Sequence, residues 1–398
     1  ERKNIRGFGG LFRMCFSLLD SAIAGCGLAT RVRFCSVSAL AQVLRAAVPY
    51  GKIVLIAEEG EGFALAGRLR EGLGEFHPVS VVLGGEDKLE GLFSLADDVR
   101  AAVGIGERGA LAARFFATLR GGYSCAVPLA PYAGGIFEPT APVGSGWGGY
   151  PLKAADFVVA DGEKMLPRFA EGVARLSPAA VCAEDLAVDA VFSGERKEFD
   201  LRTPAQLALE AEHGAEGAKR LFCASALFYI AMRGAPAFAC TEAARVLQKR
   251  TLRSLPDCLL ALCGEFSRRY MRLFGEGIAR AFFIPDYVRR AELCAAWAGI
   301  SQKNLLKNVR VPTAEESFRR AELFGECRKK LHTSAQILSA YGKKMRAKYC
   351  AAGGVLPAVS RAELNAAYSR SAELTPLLAP PVLEREFGML ACEEGSFV

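Results

Sequence analysis

The chain has 398 residues, 51% of them hydrophobic, and its 50 basic and 43 acidic side chains leave a formal charge of +7. That length buries a large core and predicts two domains, and the composition excludes a disordered or fibrous class. The thirteen cysteines are odd in number and contain no C-x-x-C pair, a pattern of reduced cytosolic thiols that argues against a disulfide framework or a zinc ribbon.

Residues 1–30 read as a helical extension. The segment Met14 to Ala29 follows a basic start, as a signal peptide does, but Asp20 interrupts its apolar core and an amphipathic helix fits better. The chain opens on Glu1, which leaves an upstream start or initiation at Met14 both open. No apolar run reaches the roughly 18 to 20 residues needed to cross a membrane.

Residues 31–162 alternate strand and helix. Val32 to Cys35 is a short strand, Ser38 to Ala47 a helix capped by Ser36 or Ser38, and Lys52 to Ala57 an apolar run typical of a buried parallel strand. After Glu58-Glu59-Gly60 come a helix from about Gly62 to Leu73, a turn at His77-Pro78, a strand at Val79 to Leu83 and a helical segment near Leu89 to Asp97. Val99 to Ile105 is the next strand. It leads through Gly104-Ile105-Gly106-Glu107-Arg108-Gly109, a G-x-G-x-x-G, into the helical run Ala110 to Leu119. Glycines at such a turn let backbone N–H groups approach a pyrophosphate on the positive end of the helix; a tight turn without a ligand uses the same residues. Strand Ser124 to Val127 runs into the loop Pro128 to Pro139, a glycine-rich turn spans Thr140 to Pro151, and Phe157 to Asp161 is a last strand. The alternation predicts an open, mostly parallel, Rossmann-like sheet whose ligands bind beyond the carboxyl ends of its strands.

From Glu163 to about residue 350 nearly every segment has helical spacing, predicting an all-helical domain for residues 163–350. The basic runs Arg245 to Arg253 and Lys343 to Lys348 lie in this half and read as solvated helix faces, which argues against nucleic acid as a partner. Residues 351–398 form a tail with room for a short helix at Glu363 to Tyr368, in which Pro376, Pro380 and Pro381 oppose a long one; packing across the helical domain and a mobile segment both stay open.

The loop Pro128-Leu129-Ala130-Pro131-Tyr132-Ala133-Gly134-Gly135-Ile136-Phe137-Glu138-Pro139 resembles the P-T-S-A-S-H-D-G-I-A-S-P loop of sn-glycerol-1-phosphate dehydrogenases. These are a branch of the superfamily of glycerol dehydrogenases, iron-containing alcohol dehydrogenases and dehydroquinate synthases. Pro128, Gly135, Ile136 and Pro139 stay in register, whereas Leu129 replaces the threonine and Gly134 the aspartate. Partial matches continue in order. Ala155 to Asp161 resembles the strand closing the cofactor domain, Ala183-Glu184-Asp185-Leu186-Ala187 the G-D-L-L-A segment, Pro236 to Ala243 the P-A-S-G-S-E-H segment, and Leu262 to Glu265 the H-G-E segment.

The resemblance implies a dehydroquinate synthase-like α/β fold with an N-terminal Rossmann-like domain and a helical metal and substrate domain. It implies NAD(P) as cofactor, bound through Glu58, whose carboxylate matches a family aspartate and can accept both ribose hydroxyls, and through Gly104, Gly106, Arg108, Gly109, Pro128 and Leu129; Glu58 and Glu59 also read as ordinary exposed loop charges. Arg108 and Glu107 stand where the family has bare glycines; they either contact phosphate or fill the site. The family holds zinc or iron with one aspartate and two histidines, matched here by Asp185, Ala243 and Cys263. Alanine cannot ligate, so Asp185 and Cys263 leave at best a weak, degenerate site, and Cys263 reads equally as a buried apolar residue. His77, His213 and His332 do not complete it. Two functions follow: a divergent NAD(P)-dependent dehydrogenase of dihydroxyacetone phosphate, glycerol phosphate or a related polyol, or a catalytically silent homologue kept as a binding or regulatory module. Either takes a small-molecule substrate or nucleotide, acts in the cytoplasm and is compatible with a homodimer.

Overall fold

The computed structural model describes residues 5–48, 50–74, 79–83, 98–142, 149–195, 199–276, 285–308 and 311–390. The turn at His77-Pro78, the helical segment near Leu89 to Asp97 and the last eight residues of the tail lie outside them.

A parallel sheet forms around Lys52 to Ala57. Its strands are β1 (Arg31–Arg33), β2 (Lys52–Ala57), β3 (Val79–Leu83), β4 (Val99–Ile105), β5 (Tyr123–Val127) and a strand at Phe157–Val159. Between β5 and that strand the chain makes β6 (Thr140–Pro142) and β7 (Gly149–Pro151), an antiparallel pair where the sequence predicts only a turn, so the Phe157–Val159 strand is β8. Spatial order is β1-β8-β5-β4-β2-β3, with parallel neighbours throughout. Alternation along β2 explains why both faces are covered. Ile53, Leu55 and Ala57 join the apolar cluster containing Leu40, Leu44 and Leu65, while Val54 and Ile56 join Ala112, Ala113 and Phe116 on the other face.

The helices α1 (Ile5–Gly25), α2 (Leu40–Ala47), α3 (Glu61–Gly74) and α4 (Gly106–Arg120) complete the sheet region. Ser36 caps the single 3₁₀ turn, Val37–Ala39, that precedes α2. At the centre of the sheet, β4 passes into α4 with no intervening loop, which corrects the expectation of a six-residue glycine turn. Gly104 lies inside the strand and Gly106, at φ +80°, is already the first residue of the helix.

The chain divides into two compact units, residues 1–172 with 206–233 and residues 173–205 with 234–398. The sequence pattern changes near residue 162, yet α10 (Ala215–Ala231) belongs to the first unit. Its Ser225 hydroxyl accepts the Ala133 N–H at 2.9 Å, and Phe222 packs edge-on against Phe34. Six helices shape the second unit: α8 (Ala179–Ser193), α11 (Ala239–Thr251), α12 (Leu255–Glu276), α15 (Ala314–Ala351), α16 (Arg361–Ser371) and α17 (Pro380–Glu386). The remaining helices are α5 (Gly134–Phe137), α6 (Gly162–Met165), α7 (Phe169–Leu176), α9 (Arg202–Glu210) and, also in the second unit, α13 (Tyr287–Ala298) and α14 (Gln302–Asn308).

Residues 351–390 are part of this core, the packed one of the two arrangements the sequence leaves open for the tail. Ser360 and Glu363 make a reciprocal capping box for α16. Pro380 and Pro381 stand at the start of α17, where a missing N–H costs nothing. Buried ion pairs then fix the segment: Arg290 to Glu373 at 2.8 Å and Arg320 to Glu386 at 2.7 Å.

Candidate functional site

Three chain segments meet at the carboxyl edge of the sheet, because β2, β4 and β5 are adjacent. Glu58 follows β2, Gly106 follows β4, and Pro128 follows β5. The glycines there do different jobs. A Cβ on Gly104 would lie 2.4 Å from the Ala110 nitrogen and one on Gly109 would lie 2.4 Å from the Ile56 oxygen, so both are needed for α4 to sit against the strands. Gly106 alone supplies a left-handed backbone conformation.

Glu58 closes over that junction. Its Oε2 accepts the Glu107 N–H at 3.1 Å, and its Oε1 meets the Arg168 guanidinium at 2.5 Å. Arg168 also pairs with Glu171 at 2.7 Å. These carboxylates hold the Arg168 guanidinium protonated above its ordinary range, against the opposing effect of its own burial. The space left beside the junction is about 10 Å³, lined among others by Gly106, Leu129, Tyr132, Gly135, Arg168 and Glu171. A void of that size holds about one water.

The loop after β5 is fixed from beneath by Arg114, a fully buried side chain of α4. Its guanidinium donates to the carbonyls of Gly135 at 2.8 Å, Glu138 at 2.5 Å and Lys153 at 2.8 Å. Burial lowers its pKa to about 10, which still leaves it charged at neutral pH. Tyr132 in the same loop shares a hydroxyl hydrogen bond of 2.5 Å with Tyr229 of α10.

Of the residues the sequence places at this edge, Glu58, Gly106, Gly109 and Pro128 meet around the β4–α4 junction, Gly104 lies behind it in β4, and Leu129 both lines the void and packs into the core at 1% exposure. Arg108 is exposed on α4 and does not line the cavity. The cation that lines it is Arg168, and nothing in the Leu166-Pro167-Arg168 segment distinguishes it in the sequence. Arg114 had a readable signal: one arginine inside the apolar run Ala110 to Leu119.

The matched metal positions lie in the second unit, on α8, α11 and α12. Asp185, fully buried, accepts a hydrogen bond from the Tyr270 hydroxyl, and burial pushes its carboxyl well above the usual range despite that bond. Cys263 accepts from the Ser177 hydroxyl at 3.4 Å and shares a thiol contact of 3.7 Å with Cys240. That contact and burial raise the Cys240 thiol well above its ordinary value. Ala243 is fully buried. Zinc and iron take thiolates, ionised carboxylates and imidazoles; a buried carboxyl engaged by tyrosine, two cysteines in contact with each other and an alanine do not fit them. Among the described residues no group of three or more His, Cys, Asp and Glu side chains is placed to hold a metal ion. His213 packs edge-on against Phe169, and His332 shares a 3.3 Å hydrogen bond with Gln336 of its own helix.

No family model and no curated protein sequence matches the chain. Solved structures do match its fold. Maleylacetate reductase from Agrobacterium tumefaciens superposes with a TM-score of 0.53 at 12% identity, over 90% of this chain and 96% of that one. The iron-containing alcohol dehydrogenase of Thermotoga maritima gives 0.51 at 14% identity, over 91% and 98%. An alcohol dehydrogenase from Oenococcus oeni gives 0.51 at 10% identity, over 88% and 94%. The chain therefore has the α/β Rossmann-like plus helical fold of these dehydrogenases. No helix among the described residues is long and apolar enough to cross a membrane.

Proposed function

We propose that this chain is a divergent NAD(P)-dependent oxidoreductase, with dihydroxyacetone phosphate, glycerol phosphate or a related polyol as its substrate class. One observation carries the reading: at the carboxyl edge, the positive-φ Gly106 opens α4 between the carboxylate of Glu58 and the loop anchored by Arg114. That is where an open parallel sheet receives a nucleotide. A bound nicotinamide cofactor supplies or takes up hydride. The side chains at the family's metal positions do not fit zinc or iron, so the substrate oxygen takes its proton from solvent or from a side chain of the protein. The paired hydroxyls of Tyr132 and Tyr229 are a proton-bearing group beside the loop.

A second reading has its own support. With Ala243 and the engaged Asp185 and Cys263 at the metal positions, a catalytically silent homologue that keeps the fold as a binding or regulatory module accounts for the second unit equally well. NADH titration, combined with zinc and iron analysis of the wild type and Asp185→Ala, separates the two. NADH binding with turnover of dihydroxyacetone phosphate supports the oxidoreductase. Binding without turnover in a metal-free protein supports the silent homologue, and no binding at millimolar NADH removes the oxidoreductase. Stoichiometric metal that Asp185→Ala abolishes would reinstate a metal centre.

A further inference from the structure

We infer that the Glu58 carboxylate is a built-in anion at the β4–α4 junction and that a phosphate-bearing ligand enters only by displacing it. The inference rests on the proposal that this junction is a nucleotide cradle. Glu58 uses both groups a phosphate would need: Oε2 accepts the Glu107 N–H at the start of α4, and Oε1 pairs with Arg168. Phosphate binds a helix start through the same N–H groups and an arginine through the same charge-assisted geometry. Space points the same way. A Cβ on Gly106 would lie 2.1 Å from the Glu58 Cδ, so the carboxyl group rests against bare backbone, and the remaining void of about 10 Å³ is far too small for a pyrophosphate.

The arrangement allows exchange. Glu58 has a side chain 17% exposed, so it can swing toward solvent without crossing the core. Arg168 keeps its second partner, Glu171, when Glu58 leaves. The incoming anion therefore finds an oriented guanidinium and a released N–H. Glu58 thereby sets a threshold for anion affinity at this edge, favouring ligands with further contacts to the loop over free phosphate.

Calorimetric titration of wild type, Glu58→Ala, Glu58→Gln and Glu58→Ala/Arg168→Ala with inorganic pyrophosphate, and in parallel with NADH, tests this. Glu58→Ala and Glu58→Gln are expected to bind pyrophosphate at least about tenfold more tightly than wild type, since a charge-assisted competitor is gone. Adding Arg168→Ala should abolish the gain. Pyrophosphate has no ribose, so contacts of Glu58 to sugar hydroxyls do not enter the comparison. Equal or weaker binding by both single variants overturns the inference and leaves the nucleotide reading in place. Failure of every protein to bind either probe up to millimolar concentration removes both. Thermal melts followed by circular dichroism verify folding, and Glu58→Gln, which keeps the side chain's shape, carries the test if Glu58→Ala unfolds.

Discussion

Arg114 shows what one side chain does for the candidate site. Its three bonds run to main-chain carbonyls on both sides of the β6–β7 hairpin. Removing the guanidinium leaves buried acceptors unmet and opens a void between α4 and the loop. Arg114→Ala is therefore expected to lower stability by about 3 kcal/mol, measured by denaturant unfolding. Arg114→Lys should recover only part of this, because an ammonium cannot reach three diverging carbonyls with a planar fork. A loss below about 1 kcal/mol for Arg114→Ala would mean that the loop is held by other contacts. The residue is visible in the sequence as a charge inside an apolar helix, but its partners are carbonyls, and those have no letter.

At the scale of elements, the passage from β4 to α4 was readable and its internal division was not. The boundaries of the strand, Val99 to Ile105, follow directly from its apolar run. Which of three glycines turns the chain and which two permit close packing depends on tertiary contacts with β2, absent from any local pattern. The distinction has a measurable form. Gly109→Ala places a methyl group against the Ile56 carbonyl and should destabilise by about 2 kcal/mol or more. Gly67→Ala, in α3 with open space around it, should stabilise by about 0.5–1 kcal/mol, because alanine costs less backbone entropy in a helix. Thermal unfolding of both variants checks the pair, and equal effects would refute the assigned roles. The site was legible in part for a related reason. Glu58 and Gly106 stand next to strands that periodicity finds, whereas Arg168 comes from a segment without a pattern.

Across the whole molecule, the two-domain expectation and the parallel sheet followed from periodicity, but the placement of residues 351–390 in the helical core did not. The prolines oppose a long helix without deciding between a packed and a mobile segment, and the tertiary pairing of Arg290, Arg320 and Arg385 with Glu373 and Glu386 shows why the segment is buried. One carboxylate in this region makes stability depend on pH. Glu384 is fully buried, lies 4.0 Å from Arg269 and 3.8 Å from Arg272, and also faces Tyr368 and Glu265. Burial outweighs the two arginines and raises its pKa to about 7. The folded state therefore holds this proton more tightly than the unfolded chain. The contribution is fully present below the ordinary carboxylate range and is lost as pH rises through about 7. Relative to Glu384→Gln, the wild type should lose about 3 kcal/mol in the unfolding of the second unit between pH 4 and pH 8. Parallel denaturant curves for the two proteins would exclude the effect.

The anchoring of the loop by main-chain atoms has a consequence for how its sequence can vary. Because Arg114 grips carbonyls and Gly135 is fixed by its approach to the Glu107 backbone, much of the curve of the edge is set by main-chain atoms, while Gly134, where a Cβ would lie 2.2 Å from the Tyr132 hydroxyl oxygen, and the buried Leu129 are fixed by packing. A loop gripped through its carbonyls keeps its path wherever its outward-facing letters change, so the contour of such an edge is written in the backbone and only partly in the sequence.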